Sequence, residues 1–330
     1  MSSDKVVMDE RQMANFFKSF ELSTEFRNIL HSEKPLFYHL PRLIKGTIEY
    51  QFLSYYFSYV PNWRMTVRKM ISKDRIAPNY IMTGPGKSGS SDLVSHLLFH
   101  PNVVAPLLKE PKLHRRQNWR AGFPKVKEIR KLEKKTGHPI RCGYLDPELH
   151  NLYVMDTLHA LNPDCKVIIT LRDPVDRAYS YWKWEVFVGG KRLEQSSKGQ
   201  HFRSFSDYIA RALSLFPSIP MESVAGMPVL ESGIYHKAVE LWIERFGRDN
   251  VLVMDVADYF RERQPVLDKV QNFLELPVME IPEYTKKANE NPMKLPPPDP
   301  HTLAALAKFY QPYNQKLFEL LGTKFSWQLP

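Results

Sequence analysis

The sequence predicts an α/β fold: a parallel sheet flanked by helices, with a glycine-rich loop after one of its strands. Three observations carry this. From Asn79 onward, short apolar or β-branched runs alternate with segments whose apolar residues recur at helical spacing, the pattern of strands alternating with covering helices. One run, Tyr80-Ile81-Met82, leads into Thr83-Gly-Pro-Gly-Lys-Ser-Gly-Ser-Ser-Asp92 and then the amphipathic Leu93–Phe99. Another, Lys166–Leu171, follows the turn Asn162-Pro163-Asp164 and runs straight into Arg172-Asp173-Pro174. Asp173 suits an N-cap and Pro174 the first helical position, so a helix starts there.

The first of these loops has the composition of an anion cradle. Glycines let backbone N–H groups approach phosphate oxygens, and a helix N-terminus adds its dipole and unpaired donors. Lys87 adds a full charge, and Ser90 and Ser91 add hydroxyls. A nucleoside-triphosphatase loop would need a glycine five positions before the Gly86-Lys87 pair, and Ile81 stands there. The bland alternative is a glycine-rich turn carrying a solvated lysine.

The second strand weakens that alternative. Arg172 is placed at a strand's C-terminal end, where ligands bind in open α/β sheets. Ser180 lies eight residues on, two helical turns later and roughly on one face with Arg172 and Asp176. An arginine fork and a hydroxyl so placed can hold a second phosphate. A plain Arg172–Asp176 surface ion pair is the competing reading.

Together the two segments resemble the sulfotransferases that use 3′-phosphoadenosine 5′-phosphosulfate (PAPS). Gly86-Lys87-Ser88-Gly89-Ser90-Ser91 is close to the family's Lys-Gly-Gly-Thr-Thr pattern, and Leu171-Arg-Asp-Pro-Val-Asp-Arg-Ala-Tyr-Ser180 follows the family form almost residue for residue. Lys109-Glu110-Pro111-Lys112-Leu113-His114 is similar to the Lys-Glu-Pro/Ile-His-Phe segment of the Golgi glycan sulfotransferases. Ser232-Gly233-Ile-Tyr235 with Leu241-Trp242 and Phe246, the strand Val251–Asp255, the helical Val270–Leu274, and Phe309–Leu317 with Trp327 continue the likeness. The wording of the loop and of Lys-Glu-Pro most resembles the enzymes that 6-sulfate N-acetylgalactosamine 4-sulfate.

The resemblance implies a sulfotransferase fold and a set of roles. Lys87 and the backbone of Gly86–Ser91 would hold the 5′-phosphosulfate, and Arg172 and Ser180 the 3′-phosphate. Glu110 would be the base, with His114 in reserve; Lys109, Lys112, Arg115 and Arg116 would attract an anionic acceptor. One departure stands out: the family often closes the nucleotide pocket with a Lys-Gly-Arg loop between cysteines. Thr285-Lys286-Lys287 to Lys294 has no glycine, arginine or cysteine, leaving Lys286 or Lys287 as substitutes.

Composition bounds the rest. The 330 residues carry a net charge of +10 and 43% apolar residues, so the chain can bury a large core and favours anionic partners. A sulfonucleotide and an acidic polysaccharide fit that charge; nucleic acid and membrane surfaces fit it less specifically, and no nucleic-acid partner is expected. A basic cluster at Arg115–Arg116, Arg120 and Lys125–Lys135 reads equally as a solvated helix face or a polyanion groove. Cys142 and Cys165, the two cysteines, read as buried thiols rather than a disulfide framework. No histidine–cysteine cluster has metal-ligand spacing, and metal-independent transfer is expected. The most apolar stretch, 48–60, is interrupted by Glu49 and Gln51 and is too short to span a bilayer. The chain reads as cytoplasmic, or as the lumenal Golgi catalytic part of a longer anchored enzyme.

Residues 1–75 read as an N-terminal helical and aromatic extension, helical at Asp9–Phe20 and aromatic at Tyr50–Trp63, and 76–330 as the sulfotransferase domain. Lys191–Arg203 and Phe216–Met227 read as loops, and Asn291–Pro300 as a stiff proline-rich connection to a last helix. Trp182 and Tyr235 read as core aromatics. Sulfuryl transfer to a glycan hydroxyl is the leading function; transfer to a small alcohol, phenol or amine is the alternative. A lapsed nucleotide- or polyanion-binding module would have no need of Lys87, Glu110, Arg172 and Ser180 together. A kinase would need magnesium, ATP and a longer loop.

Overall fold

Four short parallel strands, β1 (Tyr80–Thr83), β2 (Gly143–Asp146), β3 (Lys166–Leu171) and β4 (Val251–Asp255), form one sheet in the order β2-β1-β3-β4. Tyr80 pairs with Gly143 on one side and Lys166 on the other, and Val167 pairs with Val251. The computed structural model describes residues 62–71, 73–114, 118–193, 204–217, 228–282 and 295–327, with the backbone alone for 62 and 185–193. The expected helix at Asp9–Phe20, and Tyr50–Trp63 up to residue 61, lie outside them.

Ten α-helices are described around this sheet: α1 (Asn62–Ile71), α2 (Ser90–Leu97), α3 (Val126–Thr136), α4 (Leu152–Leu161), α5 (Pro174–Leu193), α6 (Phe205–Leu215), α7 (His236–Phe246), α8 (Val256–Arg261), α9 (Arg263–Phe273) and α10 (Pro300–Leu321). The strands are buried on both faces, and their side chains alternate between two cores. Ile81, Val167, Ile169 and Leu171 pack with Met155 and Leu158 of α4, Trp242 and Phe246 of α7 and Leu317 of α10. Tyr80, Met82, Ile168 and Met254 face the other way, onto Leu93 and Leu97 of α2 and Leu267 and Val270 of α9. Each fully buried aliphatic side chain contributes about 1.5–3 kcal/mol, so the sheet is a rigid platform for whatever its ends carry. A third core joins α5, α6 and α10 through Ala178, Trp182, Phe205, Leu306 and Tyr310. Trp182 and Tyr235 are thus core residues, as their type suggests.

Several boundaries differ from the sequence reading. Helix α2 begins at Ser90 and ends at Leu97, because the serines of the loop serve as its first turn. Strand β2, Gly-Tyr-Leu-Asp, has no β-branched residue to announce it and is held by pairing with β1. Between the two segments read as loops the chain forms α6, capped by the Ser204 hydroxyl accepting from Asp207 N at 3.0 Å. Where one helix was expected after β4 there are two, α8 and α9. The last helix starts at Pro300, with Asp299 as its N-cap, which places the end of the proline-rich connection as expected. Both cysteines are buried and unbridged.

Candidate active site

Strand order decides where a ligand can sit. The chain leaves β1 for β2 at one edge, then returns past β1 to β3 on its other side. Connections that diverge from neighbouring strands open a crevice at their C-terminal ends. The loop Gly84–Gly89 follows β1 and Arg172–Asp173 follows β3, so both sequence-predicted anion sites border that one crevice.

The loop is pinned by close packing. A Cβ on Gly84 would run into the Thr170 carbonyl, and one on Gly89 (φ 78°) into Val256. Ser88 is buried, its hydroxyl 3.1 Å from Thr170 Oγ1, so any ligand contact from this residue comes from its backbone. Buried Arg177 of α5 donates to Gly86 O (3.4 Å), Val229 O (2.6 Å) and Ser232 Oγ (2.9 Å), tying the loop to α5 and to the 228–233 segment. Sequence reasoning assigned Arg177 no role; its burial could not be foreseen from the motif. Lys87 itself takes φ 77°, a left-handed conformation that costs a non-glycine residue about 1–2 kcal/mol. The surrounding packing sustains that strain.

The charges around Lys87 in this crevice are cations. Burial lowers the Lys87 pKa to about 8, helped by repulsion from Arg172, Lys183 and Lys109. Lys109 and Lys183 are shifted down as well, burial again first; Arg172 adds for Lys183, while Glu110 opposes for Lys109. Among the described residues neither Lys87 nor Arg172 has a carboxylate or hydrogen-bond partner for its side chain, and the hydroxyls of Ser90 and Ser180 are unpartnered too. The Arg172–Asp176 ion pair does not form. Tyr235 donates to the Arg172 carbonyl at 3.0 Å and fixes the backbone there. Half-buried cations and free hydroxyls without counter-charges are a site prepared for an anion. Lys183, one turn beyond Ser180, lies 4.7 Å over the Tyr179 ring and adds to the positive field at Lys87; the sequence reading did not single it out.

The acceptor-side residues are arranged differently from expectation. Lys109 turns to the loop, its Nζ donating to Ser91 Oγ at 2.6 Å. Lys112 sits among three carboxylates, 2.6 Å from Glu148, 3.0 Å from Asp146 and 3.5 Å from Glu110. Burial alone would lower its pKa, but Asp146, Glu110 and Glu148 outweigh it and the net shift is upward. Burial carries Asp146 up to about 7, against the pull of Lys112. Pro85 bridges to Glu148, which sets this acidic group beside the phosphate loop. The Glu110 side chain is 35% exposed and that of His114 is 5%; of the two candidate bases, only Glu110 is open to an incoming hydroxyl. Arg115, Arg116, Lys286 and Lys287 lie outside the described residues.

The sulfotransferase domain family matches residues 78–303, a span that includes both anion sites and the Lys109–His114 segment. The chain belongs to the sulfotransferase domain family. This is the family that the loop and the Arg172–Ser180 segment indicate. Among curated proteins it is similar to mouse (Mus musculus) carbohydrate sulfotransferase 15, 25% identical over 320 residues covering 77% of this chain and 55% of the relative. It is also similar to human (Homo sapiens) bifunctional heparan sulfate N-deacetylase/N-sulfotransferase 3, 24% identical over 284 residues covering 75% of this chain and 30% of that protein. The chain spans about half the length, or less, of these sulfotransferases. Among solved structures, a sulfotransferase from Alicyclobacillus acidocaldarius shares the fold, with TM-score 0.54 and 21% identity, covering 76% of this chain and 97% of that one. No described helix is long and apolar enough to cross a membrane, and no described cluster of His, Cys, Asp and Glu has the makings of a metal site.

Proposed function

We propose that this sulfotransferase-family chain moves the sulfuryl group of PAPS to an acceptor hydroxyl on a glycan. The observation that carries the proposal is the pair of unpartnered cation–hydroxyl sets, Lys87 with Ser90 and Arg172 with Ser180, at the ends of adjacent strands. A nucleotide phosphorylated at both ends fits two such sites; one phosphorylated at a single end leaves the second cation uncompensated.

The backbone donors of Gly86–Ser91 and the Ser90 and Ser91 hydroxyls are assigned to the 5′-phosphosulfate, with Lys87 neutralising the charge that develops on the departing phosphate oxygen. Arg172 and Ser180, with Lys183 beside them, are assigned to the 3′-phosphate. Glu110 is assigned as the base that takes the acceptor proton, with Lys112 Nζ 3.5 Å from its carboxylate. The chemistry asks for positioning and charge stabilisation rather than a covalent intermediate. A glycan acceptor is supported by the names of the curated relatives, carbohydrate sulfotransferase 15 and the heparan sulfate enzymes. The alternative, a small alcohol, phenol or amine, is favoured by one observation: the carboxylates around Lys112 give this side of the crevice an acidic lining.

Thermal denaturation with added nucleotide tests the proposal. The product nucleotide 3′-phosphoadenosine 5′-phosphate (PAP), at about 100-fold its dissociation constant and without metal, is expected to add roughly 2.7 kcal/mol of stability. 5′-AMP and ATP with magnesium are expected to add much less. Equal protection by ATP–magnesium, with none from PAP, refutes the assignment.

A further inference from the structure

A second basic cavity lies outside this crevice. A cleft of about 360 Å³ is lined by Lys69, Lys73, Arg75, Asn118, Trp119 and Arg120. It forms where α1 packs on the turn Trp119–Gly122, through Met65 and Ala121. Its chemistry is that of a site: three exposed cations around a half-buried indole. The Trp119 ring is held edge-on by Phe123 at 5.5 Å, and the Arg120 guanidinium lies over it at 5.3 Å. Arg75 forms the base, its guanidinium fixed on Phe123 O at 2.6 Å. Behind it is buried Arg68, donating to Ala121 O at 2.6 Å. Lys125 and Lys127 at the start of α3 add to the same field. Glu128, bound to Lys125 N at 3.0 Å, Glu133 farther along α3 and exposed Asp74 are the acidic groups on these elements. Cations exceed carboxylates; burial, with a smaller repulsion from Arg75, lowers Arg68 to about 9, and Glu128 opposes.

The cleft is close to the proposed transfer site along the chain. Leu107 N donates to Gly122 O at 2.7 Å, and Leu107 and Leu108 share a small core with Met65 and Ala121. Leu108 directly precedes Lys109 and Glu110. From His114 to Asn118 is four peptide steps, at most about 14 Å when extended. Leu107 to Glu110 and Gly122 to Trp119 are three peptide steps each, at most about 11 Å apiece, so a chain of several linked sugars bridges Glu110 and Trp119.

We propose that this cleft is a subsite for an anionic saccharide, holding sulfate or carboxylate groups of an acceptor chain whose reacting hydroxyl lies at Glu110. The indole supplies a flat apolar surface for a sugar ring, while Lys69, Lys73 and Arg120 flank it for the charges. The proposal rests on the glycan reading above and moves recognition of acceptor charge away from Lys109 and Lys112, which are engaged by Ser91 and by carboxylates. Single-stranded nucleic acid is disfavoured, since it stacks successive bases on several aromatics and the lining among the described residues has one.

The test uses the full chain and the variant Lys69→Gln/Lys73→Gln/Arg120→Gln, whose changes are all at exposed side chains. The probe is a size-defined, highly sulfated hexasaccharide, titrated with and without PAP at several salt concentrations. The variant is expected to bind the hexasaccharide about tenfold more weakly or worse, with a flatter salt dependence. Its KM for a sulfated chain acceptor should rise by the same factor, with kcat and PAP affinity unchanged, the latter also showing that the variant is folded. Trp119→Ala should weaken the same binding while leaving its salt dependence steep. Unchanged hexasaccharide affinity in the triple variant overturns the subsite. So does an oligothymidylate of matched charge that binds as tightly and is lost in parallel. Hexasaccharide capture at the cleft without transfer to any glycan would uphold the subsite and refute the glycan reading; transfer with unchanged KM in the variant would do the reverse.

Discussion

Binding of PAP should draw a proton onto Lys87. In the free protein burial and the three neighbouring cations hold this lysine near 8, against an ordinary value close to 10.4. Filling the crevice with phosphate oxygens replaces repulsion by attraction and carries the bound-state pKa back up. At pH 8 about half the free lysines are neutral, so about 0.5 proton is taken up per nucleotide; at pH 6.5 the uptake is about 0.03. The sign follows directly: affinity is flat below pH 7 and falls as pH rises through 8, by about fivefold between pH 8 and 9. Lys109 and Lys183, shifted the same way, add to the uptake. Phosphate's own second ionisation, near 6, is complete by then. Calorimetric titration of PAP in two buffers of different ionisation enthalpy reads the protons. Lys87→Arg keeps its charge at all these pH values and should show less uptake and a flatter affinity. Zero uptake at pH 8 in the wild type, or an identical pH dependence in Lys87→Arg, would refute the reasoning.

Further predictions concern the roles assigned to single residues. Arg172→Ala removes a charge-assisted contact and should weaken PAP binding about 10- to 100-fold, and Ser180→Ala less, both read by titration at fixed salt; binding of adenosine 5′-phosphosulfate, which lacks the 3′-phosphate, should barely change. Glu110→Gln should leave PAP affinity intact and cut turnover on the order of 10²-fold or more; wild-type turnover would move the base elsewhere, with His114 the next residue to substitute. Gly89→Ala forces a methyl group against Val256 at φ 78° and should cost at least about 1–2 kcal/mol in urea unfolding. Gly137→Ala, at φ 72° with open space around it, carries only the conformational part of that cost, so equal losses would show that packing at Gly89 is unimportant.

The sequence was most legible where local chemistry and global fold agree. The strand Lys166–Leu171 has the same ends in the structure, because a β-branched run between an Asn-Pro-Asp turn and an Asp-Pro helix start admits little else. The loop after β1 and the segment after β3 announced themselves through glycine, lysine, arginine and serine at fixed spacing. Strand β2 was illegible because it has no β-branched residue and its single strand-former, Tyr144, stands beside strand-disfavouring Gly143 near Asp146; pairing with β1 holds it. Arg177 and Lys183 were missed for a related reason: one helix turns the first inward beneath Gly86 and leaves the second beside Arg172, and only three-dimensional placement separates them. Lys112 shows the limit most clearly. As a letter it is a cation next to a candidate base; in the fold it is caged by Asp146 and Glu148, residues more than thirty positions away.

The central claim is best tested by transfer itself, using PAPS labelled in the sulfuryl group, no added metal, and parallel acceptors: sulfated and unsulfated glycans, small alcohols and phenols. The account predicts label on a glycan hydroxyl, release of PAP in equal amount, and loss of both in Lys87→Ala. Binding of PAP with no label transferred to any acceptor, or transfer that survives Lys87→Ala at the wild-type rate, would contradict it.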